Sequence, residues 1–397
     1  MTPVILEWLN ALLRWAHVMA GIAWIGTSFH FIWLEASLRK RAGQDPGIAG
    51  ETWMVHGGGF YLAEKYSVAP ARMPEELHWF KYEAYFTWLT GFLLLAIIYY
   101  FQADAFLIDR DKLPLDPAWA MILSAGSLAA GWLIYDGMCR SPLGQKKGLL
   151  ALALFVEIAA FTFFYHAVFS DRAAFLHVGA LIGTIMAASV FFIIIPNQKK
   201  VVADLVAGRK PDPALGAQAG QRSLHNNYLT LPVIFMMISS HYPIMFGHPW
   251  SPVIALGIVL VGGLVRHFFN VTNHGTIDRA AIAAIPAAVV VVIVLIAITA
   301  YRPGAAGVAG AVSFADIAPI VEKHCTSCHS ATPTSRDFPE APKGVAFDTP
   351  EEVKMHARTI EQQAVLSHIM PLGNASGMTE AERRMLGAWI AQGAALD

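Results

Sequence analysis

The sequence predicts an all-α protein: a polytopic membrane bundle of about eight helices, followed by a small water-soluble helical domain. Three observations carry this. Of 397 residues, 55% are hydrophobic and only 14% charged, with a mean hydropathy of +0.48, whereas a soluble globule carries about 25% charged residues. Apolar segments of about 20 residues, enough to cross roughly 30 Å of hydrocarbon, recur as far as Tyr301. Beyond that point the composition turns soluble. The net charge of −1, with no basic stripe, argues against a nucleic-acid partner.

The expected spans cover approximately 7–34, 80–102, 117–138, 148–169, 173–196, 226–247, 251–270 and 280–301. Several contain Pro or a charge, which a bundle tolerates where neighbouring helices or water satisfy the freed groups. The last, AAIPAAVVVVIVLIAITAY, is the plainest lipid-facing helix, while the seventh carries Arg266 and His267 near its end. The opening MTPVILEWLN lacks a positive n-region and a small-residue cleavage site, so the first segment is expected to stay in the protein. One set of connections holds Arg39, Lys40, Arg41, Lys65, Arg72, Arg140, Lys146, Lys147, Lys199, Lys200, Arg209, Lys210, Arg222 and Arg279; the other holds Arg110, Lys112 and Arg172. The positive-inside rule then puts the first set in the cytoplasm and both termini outside.

The halves of the bundle resemble each other. HVMAGIAWIGTSFHFIWL from His17 parallels HVGALIGTIMAASVFFIII from His177, and EAYFTWL from Glu83 parallels NNYLTLP from Asn226. A 4+4 parallel duplication about an axis along the membrane normal follows.

RPGAAGVAGAV reads as a linker, which divides the chain into a membrane domain (1–301), a linker (302–312) and a C-terminal domain (313–397). Cys325-Thr-Ser-Cys328-His329 is the c-type haem attachment signature: two thiols on one helical turn reach the haem vinyl groups, and the adjacent imidazole reaches the iron. The C-terminal domain is therefore expected to be a cytochrome c domain with one covalent haem c. Met370 is the expected sixth ligand, with His329/Met370 ligation raising the potential. Met355, Met378, His356 and His368 compete with it, Met378 less well because Thr379-Glu-Ala-Glu382 is a capping box that starts a helix beside it. Phe314 and Trp389 read as core packing, and Cys139 as inert filler.

Ionisable residues at membrane depth are costly and mark function. Toward the outer side lie His17, His166, His177 and His241. His17 and His177 hold equivalent places in the two halves and suggest a haem b, or another metal, among these histidines without fixing the pair; His17 with His30 is a further arrangement, and the plainer reading is interhelical hydrogen bonding. Toward the inner side lie His30, Glu83, His225, Asn226, Asn227, Arg266 and His267, with Trp79 and Trp88. They suggest a small-molecule pocket. His56-Gly-Gly-Gly-Phe-Tyr61 reads as a plain turn whose amides are also able to meet a ligand.

The segments LRWAHVMAGIAWIG (13–26), VHGGGFY (55–61), HWFKYEAYFTWL (78–89), RAAFLHVGALIGTIMAASVFFIIIPNQKK (172–200), RSLHNNYLTLPV (222–233) and ISSHYP (238–243) resemble the PuuD family of bacterial membrane-bound urate oxidases with a tethered cytochrome c domain. The resemblance implies oxidation of urate to 5-hydroxyisourate, with electrons leaving through haem c to a cytochrome c or terminal oxidase of the respiratory chain, in the bacterial inner membrane. A planar urate monoanion asks for an Arg, side-chain amides, an aromatic face and a base. Glu83, Arg266 and His267 are then the candidate catalytic residues, and Trp79, His225, Asn226 and Asn227 the candidate substrate-binding residues. Two other readings fit the residues without purine chemistry: a quinol-to-cytochrome electron-transfer protein, and a transporter with a redox sensor domain.

Overall fold

The computed structural model describes residues 3–70, 72–273, 279–301, 310–335 and 338–396. In chain order the elements are α1 (Pro3–Ser37), β1 (Ile48–His56), β2 (Gly59–Tyr66), α2 (Tyr82–Leu95), α3 (Ala103–Phe106), α4 (Pro117–Arg140), α5 (Lys147–Val168), α6 (Asp171–Ser189), α7 (Ile195–Val206) and α8 (Pro213–Ile238). They continue with α9 (Pro243–Phe246), α10 (Ser251–Asn273), α11 (Arg279–Ala300), α12 (Phe314–His324), α13 (Pro350–Met355), α14 (Ala357–Ile360) and α15 (Glu380–Ala391). Local sequence explains the starts. Asp116 and Asp212 each cap a helix whose first residue is Pro, accepting from the N–H two residues on; Ser170 caps α6.

Among the described residues, seven helical stretches are long and apolar enough to cross a membrane: α1, α2 with its continuation, α4, α5, α6 through α7, α10 and α11. The sixth expected span, 226–247, is not among them. Its helix, α8, starts much earlier at Pro213 and stops at Ile238, where Ser239–His241 and Pro243 break it. Polar residues in its first half dilute its hydropathy, yet it packs on α6 and α10 inside the bundle. Two helices run through single π turns, Ala96–Tyr100 after α2 and Val190–Ile194 between α6 and α7. Such bulges tend to mark functional sites.

The chain is an all-α membrane bundle with one β element among the described residues. The first long connection is an antiparallel hairpin in which His56 pairs with Gly59. Gly57 and Gly58 form its two-residue turn with φ of 58° and 80°, a left-handed pair that glycine adopts without strain. The glycine run is a turn, as its plainer reading expected.

α1 packs on α2, and α6 on α8. Their surroundings differ. α6 is enclosed by α2, α4, α5 and α8, whereas α1 packs almost wholly on α2 and presents its other faces outward. The buried core is accordingly centred on α6, with Tyr165, Phe169, Leu181 and Ile185.

The C-terminal module has its own core, including Ile317, Val353, Leu386 and Trp389, with the Phe314 ring tilted against Trp389 at 5.8 Å between centroids. It docks on the end of the bundle opposite the hairpin. Ile369 packs against the bundle core, Asn374 Nδ2 donates to Asp111 Oδ2 at 2.5 Å, and Gly247 and Gly373 lie against Ser367 and the backbone of Asp104. A polar cavity of 270 Å³ remains at this junction, lined among others by Asp111, Lys112, Asp171, Arg172, His368 and Arg383. Lys112 is ion-paired with Asp171 there. The His368 imidazole is held below its usual pKa by burial and by the Arg383 charge, with Glu380 and Asp171 opposing.

Candidate active site

The inner polar layer expected from the sequence divides into two clusters, because neighbouring residues on α8 point about 100° apart. The first gathers around Arg266 on α10. Its guanidinium lies 4.3 Å over the Phe29 ring of α1, and its Nε donates to Asn227 Oδ1. Asn227 Nδ2 donates in turn to Asn270 Oδ1 at 2.8 Å, and Asn226 Nδ2 to the Met186 carbonyl at 3.0 Å. Arg266, Asn226 and Asn227 are all buried. Each side chain keeps spare bonding capacity: Arg266 Nη2 and Asn270 Nδ2 are buried donors without an acceptor, and Asn226 Oδ1 is a buried acceptor without a donor. Ser189 Oγ, at the start of the π turn of α6, and Glu83 Oε2, in the first turn of α2, are orphaned in the same way. The start of α2 meets that π turn directly, since Ala84, Val190 and Ile195 share one small core with Trp24 and Trp79. Buried polar groups are normally paired, so this set of two donors, two acceptors and a hydroxyl is suited to a polar ligand.

Other expected residues stand apart from this cluster. His267 is paired with Tyr228, OH to Nδ1 at 2.9 Å, with the rings stacked. Trp88 donates to Thr184 Oγ1 at 3.1 Å and stacks on Phe92. His225 belongs to the second cluster, on the α4–α5 side of α8, where the Tyr135 OH meets its Nδ1 at 2.8 Å. There Arg222 Nη2 donates to Asp136 Oδ1 at 2.6 Å. Arg222, counted among the loop cations from sequence, is only 3% exposed.

The outer histidines are not brought together. His17 Nδ1 lies 3.0 Å from the Thr87 carbonyl and 3.1 Å from Thr90 Oγ1, an approach that needs Gly91, where a Cβ would come within 2.8 Å of the ring. His177 is fully buried, with Nδ1 on the Ala173 carbonyl and Nε2 on Ser124 Oγ, each at 2.7 Å. Tyr165 and Phe169 crowd its ring at 5.2 and 4.8 Å. His177 thus bonds its own helix and α4, and His17 bonds α2, so each imidazole here serves as a contact within and between helices.

The haem c signature sits in a setting that fits it. α12 opens on a Ser313/Asp316 capping box and runs into a turn in which the His329 N–H bonds the Cys325 carbonyl at 2.8 Å. His329 Nδ1 bonds the Val345 carbonyl at 2.9 Å, which fixes the ring and leaves Nε2 for a metal. The two cysteines are unpaired. Burial pushes the Cys325 thiol up to about 12. Met370 and Cys325 flank the same core, whereas Met355 is 76% exposed. Met378 is part of that core too, held at the entry of α15 by Asn374.

A family model described as Urate oxidase N-terminal matches residues 3–300. The chain belongs to the urate oxidase N-terminal family. The match spans the whole membrane bundle and stops before the C-terminal module, so both polar clusters lie in its urate-oxidase part. No curated protein and no solved structure matches the chain at a significant level.

In this urate oxidase family member, sequence reasoning missed Phe29, Ser189 and Asn270 in the first cluster, and Tyr135, Asp136 and Glu157 in the second. Asn270 follows Arg266 by one helical turn and was open to discovery from that spacing. Ser189 was not, because the π turn that bares its hydroxyl leaves no pattern in the sequence.

Proposed function

We propose that the protein is a membrane-bound urate oxidase that converts urate to 5-hydroxyisourate and delivers the electrons to its own C-terminal cytochrome c module. The observation that carries this is the set of orphaned groups around Arg266 in a bundle of the urate oxidase family. Urate is a flat monoanion ringed by alternating donors and acceptors. Arg266 Nη2 supplies charge and a donor, Asn270 Nδ2 a second donor, and Asn226 Oδ1 an acceptor for a ring N–H. Glu83, with one buried free oxygen, is the base for the ring proton. Trp79 beside the same small core offers an aromatic face. His267 and His225, each tied to a tyrosine, orient helices and do not touch the substrate.

Cys325 and Cys328 would attach a haem c whose iron His329 and Met370 would hold, and that group would supply a one-electron acceptor. Ile369, next to Met370, packs against the bundle core, so the Met370 loop lies beside the module–bundle junction. By the positive-inside rule the hairpin end is cytoplasmic and the module periplasmic, on an inner membrane, within reach of a cytochrome c or terminal oxidase.

The test is optical. Oxidised protein in detergent receives urate without oxygen, and a c-type α-band is expected to rise. A haem that stays oxidised with urate but is reduced by a quinol would overturn the urate reading and favour quinol-to-cytochrome transfer.

A further inference from the structure

Glu157 on α5 is a buried carboxyl with no hydrogen-bond partner on either oxygen. It lies about 15 Å from the start of its helix at 1.5 Å per residue, near the middle of a 22-residue span. Polar groups kept at that depth for structure are bonded to a neighbouring helix; this one is not. The backbone of Tyr135 is close to it, though not in hydrogen-bonding geometry. A group placed this way is able to take up and give up a proton only through what lies on either side of it.

Both sides are furnished. Toward the hairpin end, exposed Arg140 donates to Asp136 at 2.5 Å, Arg222 donates to the other oxygen of Asp136 at 2.6 Å, and Arg222 stacks 4.8 Å over the Tyr135 ring. The Tyr135 OH then reaches His225, as described. Toward the module end, Glu157 is in electrostatic reach of the Tyr165 phenol. That phenol accepts from Ser127 Oγ at 3.2 Å. One turn further, Ser124 Oγ meets both His177 Nε2 at 2.7 Å and the Tyr100 OH at 2.9 Å. Ser124, Ser127 and Tyr135 follow a helical stripe on α4. Trp132 Nε1 and Arg222 Nε and Nη1 are also buried donors without protein partners, enough to hold water between the side chains.

We propose that this column along α4 is a proton path through the bundle, with Glu157 as its carrier at mid-depth. Its use in turnover rests on the proposed function. Urate and water give 5-hydroxyisourate, two protons and two electrons. The electrons go to haem c and its cytochrome acceptor, so the two protons need their own exit. His225, adjacent in sequence to Asn226, faces the column through its bond to Tyr135.

The test uses the full haem-loaded chain in liposomes with an entrapped pH dye and a potassium diffusion potential. Wild-type protein is expected to pass protons faster than protein-free liposomes, and Glu157→Gln to fall to their rate, with Glu157→Asp retaining part of the flux. Dicyclohexylcarbodiimide, which attacks protonated carboxyls in apolar surroundings, is expected to modify Glu157 and stop the flux. If Glu157→Gln fails to fold, Tyr165→Phe, which removes only a hydroxyl, is expected to slow the flux instead. Equal flux in wild type and variant, or wild-type flux no faster than bare liposomes, would overturn the path. Anaerobic reduction of haem c by urate in the same preparations separates the two readings. An unreduced haem with Glu157-dependent flux sinks the urate reading alone, and a reduced haem with unaltered flux in Glu157→Gln sinks the path alone.

Discussion

Substituting Gly247 by Ala tests whether the docked position of the C-terminal module matters to electron delivery. A methyl at that position would sit 2.2 Å from Ser367 Cβ and 2.3 Å from its Cα. Carbon atoms rest about 3.5–4.0 Å apart, so the two surfaces must separate by more than an ångström. Backbone is part of the clash, and no rotamer change relieves it. Overpacking of this kind costs roughly 1–3 kcal/mol. The hydrogen bond from Asn374 to Asp111 that helps hold the junction contributes on the order of 1.5–3 kcal/mol at most, as a bond to a charged group. The strain therefore rivals the best polar contact at the interface, and the docked population should fall by about tenfold for each 1.4 kcal/mol. Hydrogen exchange at Ser367–Asn374 is expected to accelerate accordingly. Urate-driven haem reduction should slow in step, while reduction by a small soluble reductant is unchanged. If exchange accelerates and urate-driven reduction does not slow, docking does not govern electron delivery. If neither changes, the junction is not as tight as Gly247 implies.

Arg266→Ala should abolish urate-driven reduction while leaving haem c attached, because the residue touches nothing in the C-terminal module; a variant that is reduced at the wild-type rate removes Arg266 from the site. Met370→Ala should shift the haem to a low-potential or high-spin spectrum and Met378→Ala should cost stability alone, by about 2–5 kcal/mol for a buried Met; the reverse pattern would transfer the axial role to Met378. The Glu382 carboxylate is held well below the usual range by hydrogen bonds from the Thr379 backbone and hydroxyl and from His324. A depressed carboxyl stabilises above its unfolded pKa and loses that contribution as pH falls toward the folded value. The module should therefore weaken on acidification below roughly the unfolded Glu pKa of 4.3, and thermal melts of Glu382→Gln should show less of that slope.

Much of the bundle was legible because hydrocarbon imposes a length and a composition on each crossing helix. The failure at α8 shows the limit of that reasoning. Hydropathy places a span where apolar residues concentrate, but α8 starts where Asp212 and Pro213 cap it and carries a polar half shielded by its neighbours. Arg222 reads as a loop cation by the same logic, since sequence does not reveal that Asp136, on a helix distant in sequence, waits to pair with it. The candidate site was half legible: Arg266, Asn226 and Asn227 declare themselves as costly polar residues at depth, whereas His17 and His177, equally costly, hold backbone and hydroxyl groups of adjacent helices. Depth alone does not separate a ligand-binding group from a structural one. The count of unused hydrogen bonds does, and it requires coordinates.

That count also explains why α8 carries consecutive polar residues. Asn226 and Asn227 face α6 and α10; Asn227 is bonded to Arg266 and Asn270, and Asn226 leaves its Oδ1 unpaired. Arg222 and His225, one turn apart, face α4 and Tyr135. A single helix thus serves two chambers that share no side chain, one equipped with neutral amides and one cation for a planar anion, the other with titratable groups strung between the two ends of the bundle. Separating them across α8 lets a proton-carrying acid and an anion-binding arginine coexist in a medium where unscreened charges act strongly on each other. The arrangement makes a specific demand: changes on the α4 side of α8, such as His225→Ala, should slow proton movement without altering how tightly urate binds, and changes on the α10 side should do the opposite.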